Sequence, residues 1–430
     1  MALAKNILIF EPDASGHHPG YLYHLIINFL QNDYSYKLIV LVSPDFFIKH
    51  PQILQKTISP RVQWMKFSQN EFTEWVKPKS VFKRSILEWD IFCLYAKKYN
   101  SILGFFMYID YLQLAILTQP PPPCPISGIL FRPTLVNYPA NSFTERMNYW
   151  RKNITLKIFM KNKNLDSLFN LDCFATDYMK ENWHTEKVQF LPDPVQVYPT
   201  TKTKSEVKER LGIDESKIVF LIFGYLDSRK GIADVMEAIG KISREKSKNG
   251  CLLIVGPWEE NERKLFDIQL PKIKQITDFQ IVVRDIFVKD EDIQQYFKVA
   301  DYALALYHEH FGMSAIMVRA AAAQKPLISS NFGLMGKIVV ENELGITVEN
   351  DLKEIFEMLL ENEEDNRKDA KAQIIEKTEE MDSFVEHDNL RDSKTKRIIG
   401  DKEKMKAFAE LNKAENYAKV ILEHFKKVAK

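Results

Sequence analysis

Short runs of apolar residues recur along the chain and alternate with amphipathic helical patterns. In the first half the runs lie at Asn6–Glu11, Lys37–Val42, Gln63–Phe67, Ser101–Tyr108 and Ile126–Phe131, and Asp172–Thr176 is predicted to close this sheet. In the second half they lie at Ile218–Phe223, Cys251–Val255, Gln280–Val283, Asp301–Leu306 and Leu327–Ser330. Continuous apolar strands separated by helices are typical of parallel sheets that are covered on both faces. The pattern therefore predicts an α/β fold with two doubly wound, Rossmann-like parallel sheets.

A polar, proline-containing stretch separates the two halves. Phe190–Val195 reads FLPDPV and is followed by YPTTKTKSE, which is linker composition. We therefore predict an N-terminal domain over residues 1–195 and a C-terminal domain over residues 196–405. The last segment, Lys406–Lys430, predicts one amphipathic helix whose apolar face must dock on another element.

Composition narrows the class of protein. The 430 residues fit two domains, and 59 basic against 58 acidic residues leave a net charge of +1, which gives no general basis for binding nucleic acid. The four cysteines are far apart and include no CxxC pair, so they are expected to be buried thiols in a reducing compartment. The N-terminus enters a strand pattern directly, and no apolar run reaches membrane-spanning length. We expect a cytoplasmic protein, and the sequence is also compatible with a membrane-associated one.

The N-terminal half places polar residues after three of its predicted strands. Gly16, His17 and His18 follow the first strand, where a ligand can approach the backbone and an imidazole can donate to a phosphate or act as a base. They could equally form a polar turn before a helix. Asp110 follows a later strand and could serve chemistry or cap the next helix. Arg132 could bind a phosphate bidentately or pair with a surface acid.

A basic helix is predicted near residues 144–163, with the sequence TERMNYWRKNITLKIFMKNK. Its cations are interleaved with Tyr149, Trp150 and Phe159. A basic amphipathic helix can lie on an anionic membrane, although a solvated helix face is the default interpretation. Peripheral membrane contact, and with it a lipid-linked acceptor, is therefore compatible with the sequence.

The C-terminal half repeats the strand, glycine loop and helix design. The loop GYLDSRKG follows the strand Ile218–Phe223, and Gly224 and Gly231 flank it. Arg229 and Lys230 lie beside the predicted helix N-terminus, which favours a diphosphate site. The competing interpretation is a solvated turn.

A second loop of this half lies within Ala303–Leu334. Glu309 precedes the pair Phe311–Gly312, and an Ala-rich helix from about Ser314 to Ala323 follows. Unpaired N–H groups at the helix start favour an anion, and the carboxylate could accept hydroxyls of a sugar beside a phosphate. An ordinary βαβ unit with a polar loop is the alternative.

Two acidic residues, Asp290 and Asp292, have the spacing of a DxD metal pair. They lie where a helix is predicted to begin, and acidic residues are favoured at that position. We therefore interpret them as helix-terminal acids. No metal site and no cofactor are predicted.

Three motifs give the chain a resemblance to GT-B glycosyltransferases, and most closely to the family-4 retaining group. They are GHHPG after the first strand, DSRKG after the first strand of the second domain, and EHFGMSAIMVRAAAAQKPLISS. The resemblance covers nearly the whole chain, and its specific part is the second domain. It implies two Rossmann-like domains that face a cleft, with the final helix crossing back to the N-terminal domain.

The same resemblance implies roles for individual residues. Lys230, helped by Arg229, would bind the donor diphosphate, Glu309 would hold hydroxyls of the donor sugar, and the Gly16 loop would close on the donor. We therefore predict as catalytic residues Lys230, Arg229, Glu309, His17 and Asp110. We predict as donor-binding residues Gly16, Gly224, Lys230, Glu309, His310, Phe311, Gly312, Met313 and Ser314, and as acceptor or phosphate contacts His18 and Arg132.

Three positions depart from the family pattern. Tyr225 follows Gly224 where the family often has arginine, and Arg319 stands where a second glutamate commonly meets the nucleotide ribose. The usual histidine at the end of a middle N-domain strand has no clear counterpart, and Asp110 is the nearest candidate. These departures affect ribose recognition and the N-domain catalytic residue.

The resemblance implies a metal-independent, retaining glycosyltransferase. It would move a sugar from a nucleotide-diphosphate sugar, which is a co-substrate, to an unidentified glycan, lipid or small metabolite. The alternative is a catalytically weak or inactive protein on the same fold that binds nucleotide sugars or acts as a scaffold. A sugar-nucleotide epimerase or a phosphorylase is a third hypothesis.

Overall fold

The computed structural model describes residues 5–77, 79–136, 142–348, 352–361 and 400–430. The chain forms two compact units. Unit 1 comprises Met1–Pro194 together with Asn412–Lys430, and unit 2 comprises Val195–Leu411. Each unit is built around one parallel sheet.

Unit 1 has seven strands within its described part. They are β1 (Lys5–Glu11), β2 (Tyr36–Val42), β3 (Val62–Lys66), β4 (Ser101–Phe106), β5 (Ile126–Leu130), β6 (Leu165–Asn170) and β7 (Val188–Phe190). The helices that connect them are α1 (His18–Leu30), α2 (Pro44–Lys49), α3 (Pro51–Lys56), α4 (Gln69–Val76), α5 (Val81–Lys98), α6 (Gln113–Thr118), α7 (Phe143–Met160) and α8 (Cys173–Trp183). Helices alternate with strands, as right-handed parallel crossovers require.

The unit 1 sheet has the strand order β3-β2-β1-β4-β5-β6-β7, and all of its pairs are parallel. Ile7 and Ile9 of β1 are fully buried on one face, while Leu8 and Phe10 are buried on the other. Burial on both faces explains why this strand is a continuous apolar run. The strand order reverses between β1 and β4, so the loops after these two strands meet at the carboxyl edge of the sheet.

Unit 2 has six strands in its described residues: β8 (Ile218–Phe223), β9 (Gly250–Val255), β10 (Gln280–Arg284), β11 (Tyr302–Ala305), β12 (Leu327–Ser330) and β13 (Gly345–Val348). Its α-helices are α9 (Lys204–Leu211), α10 (Ile232–Gly240), α11 (Arg244–Ser247), α12 (Glu260–Ile276), α13 (Asp290–Val299), α14 (Ala315–Ala322), α15 (Gly333–Glu341), α16 (Leu352–Glu361) and α17 (Lys402–Leu411). A short 3-10 helix spans Ser228–Lys230.

The unit 2 sheet has the order β10-β9-β8-β11-β12-β13 and is also parallel throughout. This is the classic doubly wound order, and its reversal lies between β8 and β11. The prediction of two Rossmann-like parallel sheets is therefore confirmed.

The prediction of a closing strand at Asp172–Thr176 is wrong. Asp172 is the N-cap of α8, and its carboxylate accepts the N–H of Ala175 at 2.9 Å. The preceding segment Leu165–Asn170 forms β6 instead, and β7 is the edge strand. The polar residues Asp166 and Ser167 interrupt β6, which makes it less conspicuous than a continuous apolar run.

The terminal segment is not a single helix. The chain breaks at Asn412–Lys413 between α17 and a last helix, α18 (Ala414–Val428). Helix α18 belongs to unit 1, where Tyr417, Ile421 and Phe425 are fully buried in the core. At the break the side-chain oxygen of Asn412 accepts the N–H of Asp193 at 3.1 Å.

The charge-rich residues 351–405 lie mostly outside the described part of the chain, apart from α16 and the start of α17. Within the described ranges, no helix combines the length and the apolar composition needed to span a bilayer. Candidate functional residues are therefore expected at the two sheet edges where the strand order reverses.

Candidate functional site

Two loops of unit 2 meet at the reversal between β8 and β11. The first loop runs from Gly224 to Gly231, and the second runs from Leu306 to Ser314. They follow adjacent strands, so both emerge at the carboxyl edge of the sheet, where doubly wound folds bind ligands. All predicted donor-binding residues of this half lie in these two loops.

Lys230 joins the two loops through its side chain. Its Nζ donates to the carbonyl oxygen of Phe223, at the end of β8, at 3.0 Å and also to the hydroxyl of Tyr307. The ammonium group lies 4.2 Å from the centroid of the Tyr307 ring. The Tyr307 hydroxyl is also 3.3 Å from the hydroxyl oxygen of Ser314. The ammonium group is therefore fixed at the centre of the reversal point.

The backbones of the two loops are in direct contact. The N–H of His308 donates to the carbonyl oxygen of Arg229 at 2.8 Å. Gly231 has φ +64°, and a Cβ added there would lie 2.4 Å from the carbonyl oxygen of Leu306. Glycine is therefore required at position 231 both for its left-handed conformation and for this close approach.

Arg229 is exposed and paired within its own loop. Its Nε and Nη2 donate to one carboxylate oxygen of Asp227 at 3.1 and 2.6 Å. The same aspartate caps the 3-10 helix by accepting the N–H of Arg229. A bound diphosphate would have to share this guanidinium with Asp227, which makes Lys230 the stronger anion-binding candidate.

The second loop exposes Glu309 in a left-handed backbone conformation, with φ +47°. A non-glycine residue in this region costs about 1 kcal/mol, and such strain is concentrated at functional sites. The neighbouring His310 donates through Nε2 to the carbonyl oxygen of Met313 at 3.4 Å, and Phe311 contacts the ring of Phe332. The loop is therefore held by contacts of His310 and Phe311, while the Glu309 side chain is exposed to solvent.

The two helices that begin at these loops have no side-chain cap. Gly231 precedes α10, and Ser314 precedes α14 without bonding to its first N–H groups. Elsewhere in unit 2, Thr203, Ser243 and Glu259 cap α9, α11 and α12, whereas α13 and α15 also begin without a side-chain cap. Uncapped N–H groups and the helix dipole favour an anion at the two helix starts near Lys230.

The two departures from the family pattern in unit 2 differ in environment. Tyr225 is 54% exposed, so its side chain lies largely in solvent. Arg319 is only 9% exposed, and its Nη2 is 3.9 Å from the carboxylate of Asp290. Among the described residues its Nη1 has no hydrogen-bond partner, and burial lowers the pKa of the guanidinium. This buried cation is incompletely paired.

The corresponding edge of unit 1 contains a carboxylate–imidazole pair. Glu11 ends β1 with 1% exposure, and its carboxylate accepts Nδ1–H of His18 at 2.7 Å and the N–H of Asp13 at 2.9 Å. Burial raises the pKa of Glu11. Burial opposes the charge on His18, but the hydrogen bond and the charge of Glu11 outweigh it and raise the pKa of His18. His18 belongs to the first turn of α1 rather than to the predicted loop.

His17 belongs to a ring cluster at the same edge. Its ring stacks on His18 at 4.7 Å and lies 5.1 Å from both Tyr21 and Phe131, while Tyr108 lies 5.1 Å from Phe131. Burial of part of the ring, together with the charges of His18 and Arg132, lowers the pKa of His17 to about 4. His17 is therefore neutral at physiological pH, which suits a hydrogen-bond acceptor or base.

Asp110 does not cap the next helix. Its two carboxylate oxygens accept the N–H groups of Phe131 and Arg132 at 2.9 and 2.7 Å, and α6 begins later, at Gln113. Burial raises its pKa to about 6. Asp110 thus fixes the loop after β5, and the side chain of Arg132 is exposed on that loop. Gly16, with φ +58°, is also exposed at this edge.

A second buried carboxylate lies behind this edge. Glu88 of α5 is 1% exposed and accepts Trp75 Nε1–H and the Tyr111 hydroxyl, each at 2.7 Å. Burial raises its pKa to about 7. Glu11, Tyr307 and Glu88 were not identified by sequence reasoning. In the sequence, Glu11 could have been identified as an acid at the end of a strand, and Tyr307 as a tyrosine two residues before Glu309.

Among the described residues, no three His, Cys, Asp or Glu side chains are grouped so that they could hold a metal ion. Asp290 and Asp292 lie in the first turn of α13, as predicted for helix-terminal acids. The candidate chemistry of unit 2 thus consists of a fixed ammonium group, uncapped helix starts and an exposed carboxylate.

Comparisons with known proteins agree with this geometry. Residues 203–381 match the family described as Glycosyl transferases group 1. A glycosyltransferase from Rickettsia africae ESF-5 is 16% identical, with a TM-score of 0.60 over 100% of this chain and 99% of that one. Sucrose-phosphate synthase from Thermosynechococcus elongatus is 15% identical, with a TM-score of 0.63 over 99% of each chain.

The HepE protein of Anabaena, solved with UDP and glucose, is 13% identical and has a TM-score of 0.61. That comparison covers 98% of this chain and 100% of HepE. Among curated proteins, none matches the chain by sequence. The chain therefore has the GT-B glycosyltransferase fold, and the match to the glycosyl transferases group 1 family lies in its C-terminal half.

Proposed function

We propose that the protein transfers a sugar from a nucleotide-diphosphate sugar to a glycan, lipid or small-metabolite acceptor, with retention of configuration and without a metal ion. The observation that supports it most directly is Lys230, which is held at the unit 2 reversal point between two uncapped helix starts. Negative charge develops on the leaving diphosphate in the transition state, and a preorganised ammonium group stabilises that charge.

The other loop residues supply recognition in this proposal. Glu309 accepts hydroxyls of the donor sugar, and the N–H groups at the start of α14 meet a phosphate oxygen. Uridine is the first nucleotide to test, because Anabaena HepE was solved with UDP and with UDP-glucose. Unit 1 contributes the acceptor side through His17, His18 and the exposed Arg132.

A donor hydrolysis assay tests the proposal with water as the acceptor. Release of UDP from UDP-glucose should fall by about 100-fold or more in Lys230→Ala, because one preorganised charge contact to the leaving group is lost. Glu291→Ala is the control, since Glu291 is exposed in the first turn of α13 and lies outside the two loops. Equal losses in the two variants would contradict the assignment of Lys230.

A second candidate function is donor binding without turnover. It is motivated by Arg319, a buried and incompletely paired cation where the family commonly has a glutamate. If a donor binds but neither hydrolysis nor transfer is detected, this alternative replaces the first. If Arg319 is the cause of the lost turnover, Arg319→Glu, which introduces the family residue, should recover hydrolysis, and continued absence of hydrolysis would exclude Arg319 as the single cause.

A further inference from the structure

Helix α7 of unit 1 has two apolar faces, and only one of them is buried. Leu156, Phe159 and Met160 pack into the core of the unit. A second set of large apolar side chains faces solvent at intervals of three or four residues, which places them on one stripe of the helix. These are Phe143 at 79% exposure, Met147 at 47%, Trp150 at 60%, Ile154 at 38% and Ile158 at 52%.

Cations lie along this exposed stripe. At 3.6 residues per turn, Arg146 and Lys157 lie on one side of the stripe, Arg151 lies on the other, and Lys161 lies at its end. All four are exposed, and no ion pair with another described residue involves them. Residues 142–163 contain six basic side chains and one acidic one, whereas the whole chain is nearly neutral.

We propose that α7 docks on an anionic membrane surface. An interfacial helix inserts apolar and aromatic side chains at the headgroup boundary while flanking lysines and arginines meet anionic lipids. The stripe of α7 has both components on one face. Along the chain α7 is the helix that follows β5, so the proposed docking surface belongs to unit 1.

A second copy of the chain fits this surface less well. Self-association through the stripe would bring Arg146, Arg151 and Lys157 of two copies together, and like charges across an interface are unfavourable. Glu145 is the only acid within residues 142–163 that could offset them. Charge complementarity therefore favours the anionic lipid surface.

Vesicle co-sedimentation of the full chain tests the proposal. Phosphatidylcholine vesicles are compared with vesicles that also contain phosphatidylglycerol, at low and at high salt. We expect binding to the anionic vesicles that weakens as salt rises and is much weaker on phosphatidylcholine alone. Equal binding to the two compositions, or none to either, would overturn the proposal.

Two variants of α7 separate the apolar and the charged contributions. Trp150→Gln/Ile154→Gln should lower affinity for the anionic vesicles by more than about tenfold, and glutamine preserves helix propensity. Arg146→Gln/Lys157→Gln should lower it by about 25-fold, at about fivefold per cation. Both variants change exposed side chains, so thermal unfolding should be unchanged.

The matched controls lie on α12 of unit 2, which exposes Leu265 at 58% and Ile268 at 61%. Leu265→Gln/Ile268→Gln and Lys272→Gln/Lys274→Gln should bind vesicles like the wild type. If these controls lose binding as much as the α7 variants, the contact is nonspecific and the proposal fails. If sedimentation velocity shows a dimer that only the α7 variants disrupt, the stripe is a self-association surface and the proposal is likewise overturned.

This inference does not depend on the proposed sugar transfer. Donor hydrolysis in lipid-free solution should be the same for the α7 variants and the wild type. Loss of vesicle binding with unchanged hydrolysis supports docking, while unchanged vesicle binding in both α7 variants contradicts it whatever the hydrolysis assay shows.

Discussion

The two sheets share one topology, but their reversal points carry different chemistry. At β8 and β11 of unit 2 the edge presents an ammonium group, two uncapped helix starts and a strained, exposed glutamate. At β1 and β4 of unit 1 the edge presents stacked histidines, aromatic rings and buried carboxylates. The strand order determines where a ligand can bind, and the side chains determine which ligand it is.

The difference also predicts different sensitivities. Unit 2 depends on close backbone approach between two loops, so steric changes should affect it most. Unit 1 depends on carboxylates and imidazoles whose pKa values are shifted, so changes of pH should affect it most. Three substitutions test this contrast.

The largest effect is expected at the loop contact of unit 2. Gly231→Ala forces a methyl group to within 2.4 Å of the Leu306 carbonyl oxygen and strains a residue at φ +64°. It should lower the free energy of unfolding by about 2–3 kcal/mol, measured by urea denaturation. UDP binding should weaken as well, because the contact positions Lys230.

Gly20 of α1 provides the matched control in unit 1. A Cβ added there meets no atom within 4 Å. Gly20→Ala should therefore raise the free energy of unfolding by about 0.5 kcal/mol through helix propensity. A destabilisation of the same size in both variants would contradict the steric account.

The next effect concerns Glu88 and the pH dependence of stability. When folding raises the pKa of a carboxyl group, the group contributes stability that is fully present at a pH below its ordinary pKa. This contribution is lost as the pH rises through the raised pKa. With the pKa of Glu88 raised to about 7, the wild type should lose about 2 kcal/mol between pH 5 and pH 8 relative to Glu88→Gln. Urea denaturation at the two pH values measures the difference.

Asp90 lies on the same helix and is exposed, so Asp90→Asn is the control. A pH-dependent difference of the same size in Asp90→Asn would show that the effect does not arise from the burial of Glu88. If Glu88→Gln shows a constant difference from the wild type from pH 5 to pH 8, then Glu88 does not titrate in this range and burial is not the dominant influence on it.

The smallest effect is expected at the Glu11–His18 pair. Removing the carboxylate in Glu11→Gln should lower the pKa of His18, since burial then acts without its counter-charge. The imidazole resonances in an NMR titration report this change. Asp13→Asn should shift His18 less, because Asp13 acts on it only through its charge. A shift of equal size in both variants would argue against the 2.7 Å hydrogen bond.

The fold could be predicted from sequence wherever a strand is buried on both faces. Ile218–Phe223 and Leu327–Ser330 were predicted with their observed bounds because each is an unbroken apolar run between turn residues. The prediction of a strand at Asp172–Thr176 failed because a capping aspartate followed by CFAT resembles a short strand. The true strand, β6, contains two polar residues. Helix α18 was predicted, but the break at Asn412 depends on its tertiary bond to Asp193.

The positions of the candidate site residues along the chain could be predicted from the sequence, but their contacts with one another could not. The sequence placed Lys230 and Glu309 in loops at strand ends, and the structure places those loops side by side. Tyr307 was missed because its role depends on a partner 77 residues away. Likewise, only packing shows which apolar residues of α7 are buried and which form the exposed stripe.

The most direct test of the account is calorimetry of the full chain against UDP, GDP and ADP, with Lys230→Ala and His18→Ala as the paired variants. The account predicts that one diphosphate binds the wild type, that Lys230→Ala loses at least about tenfold in affinity, and that His18→Ala binds as the wild type does. Absence of binding to all three diphosphates, or equal affinity in the wild type and Lys230→Ala, would contradict the assignment of the donor site to unit 2.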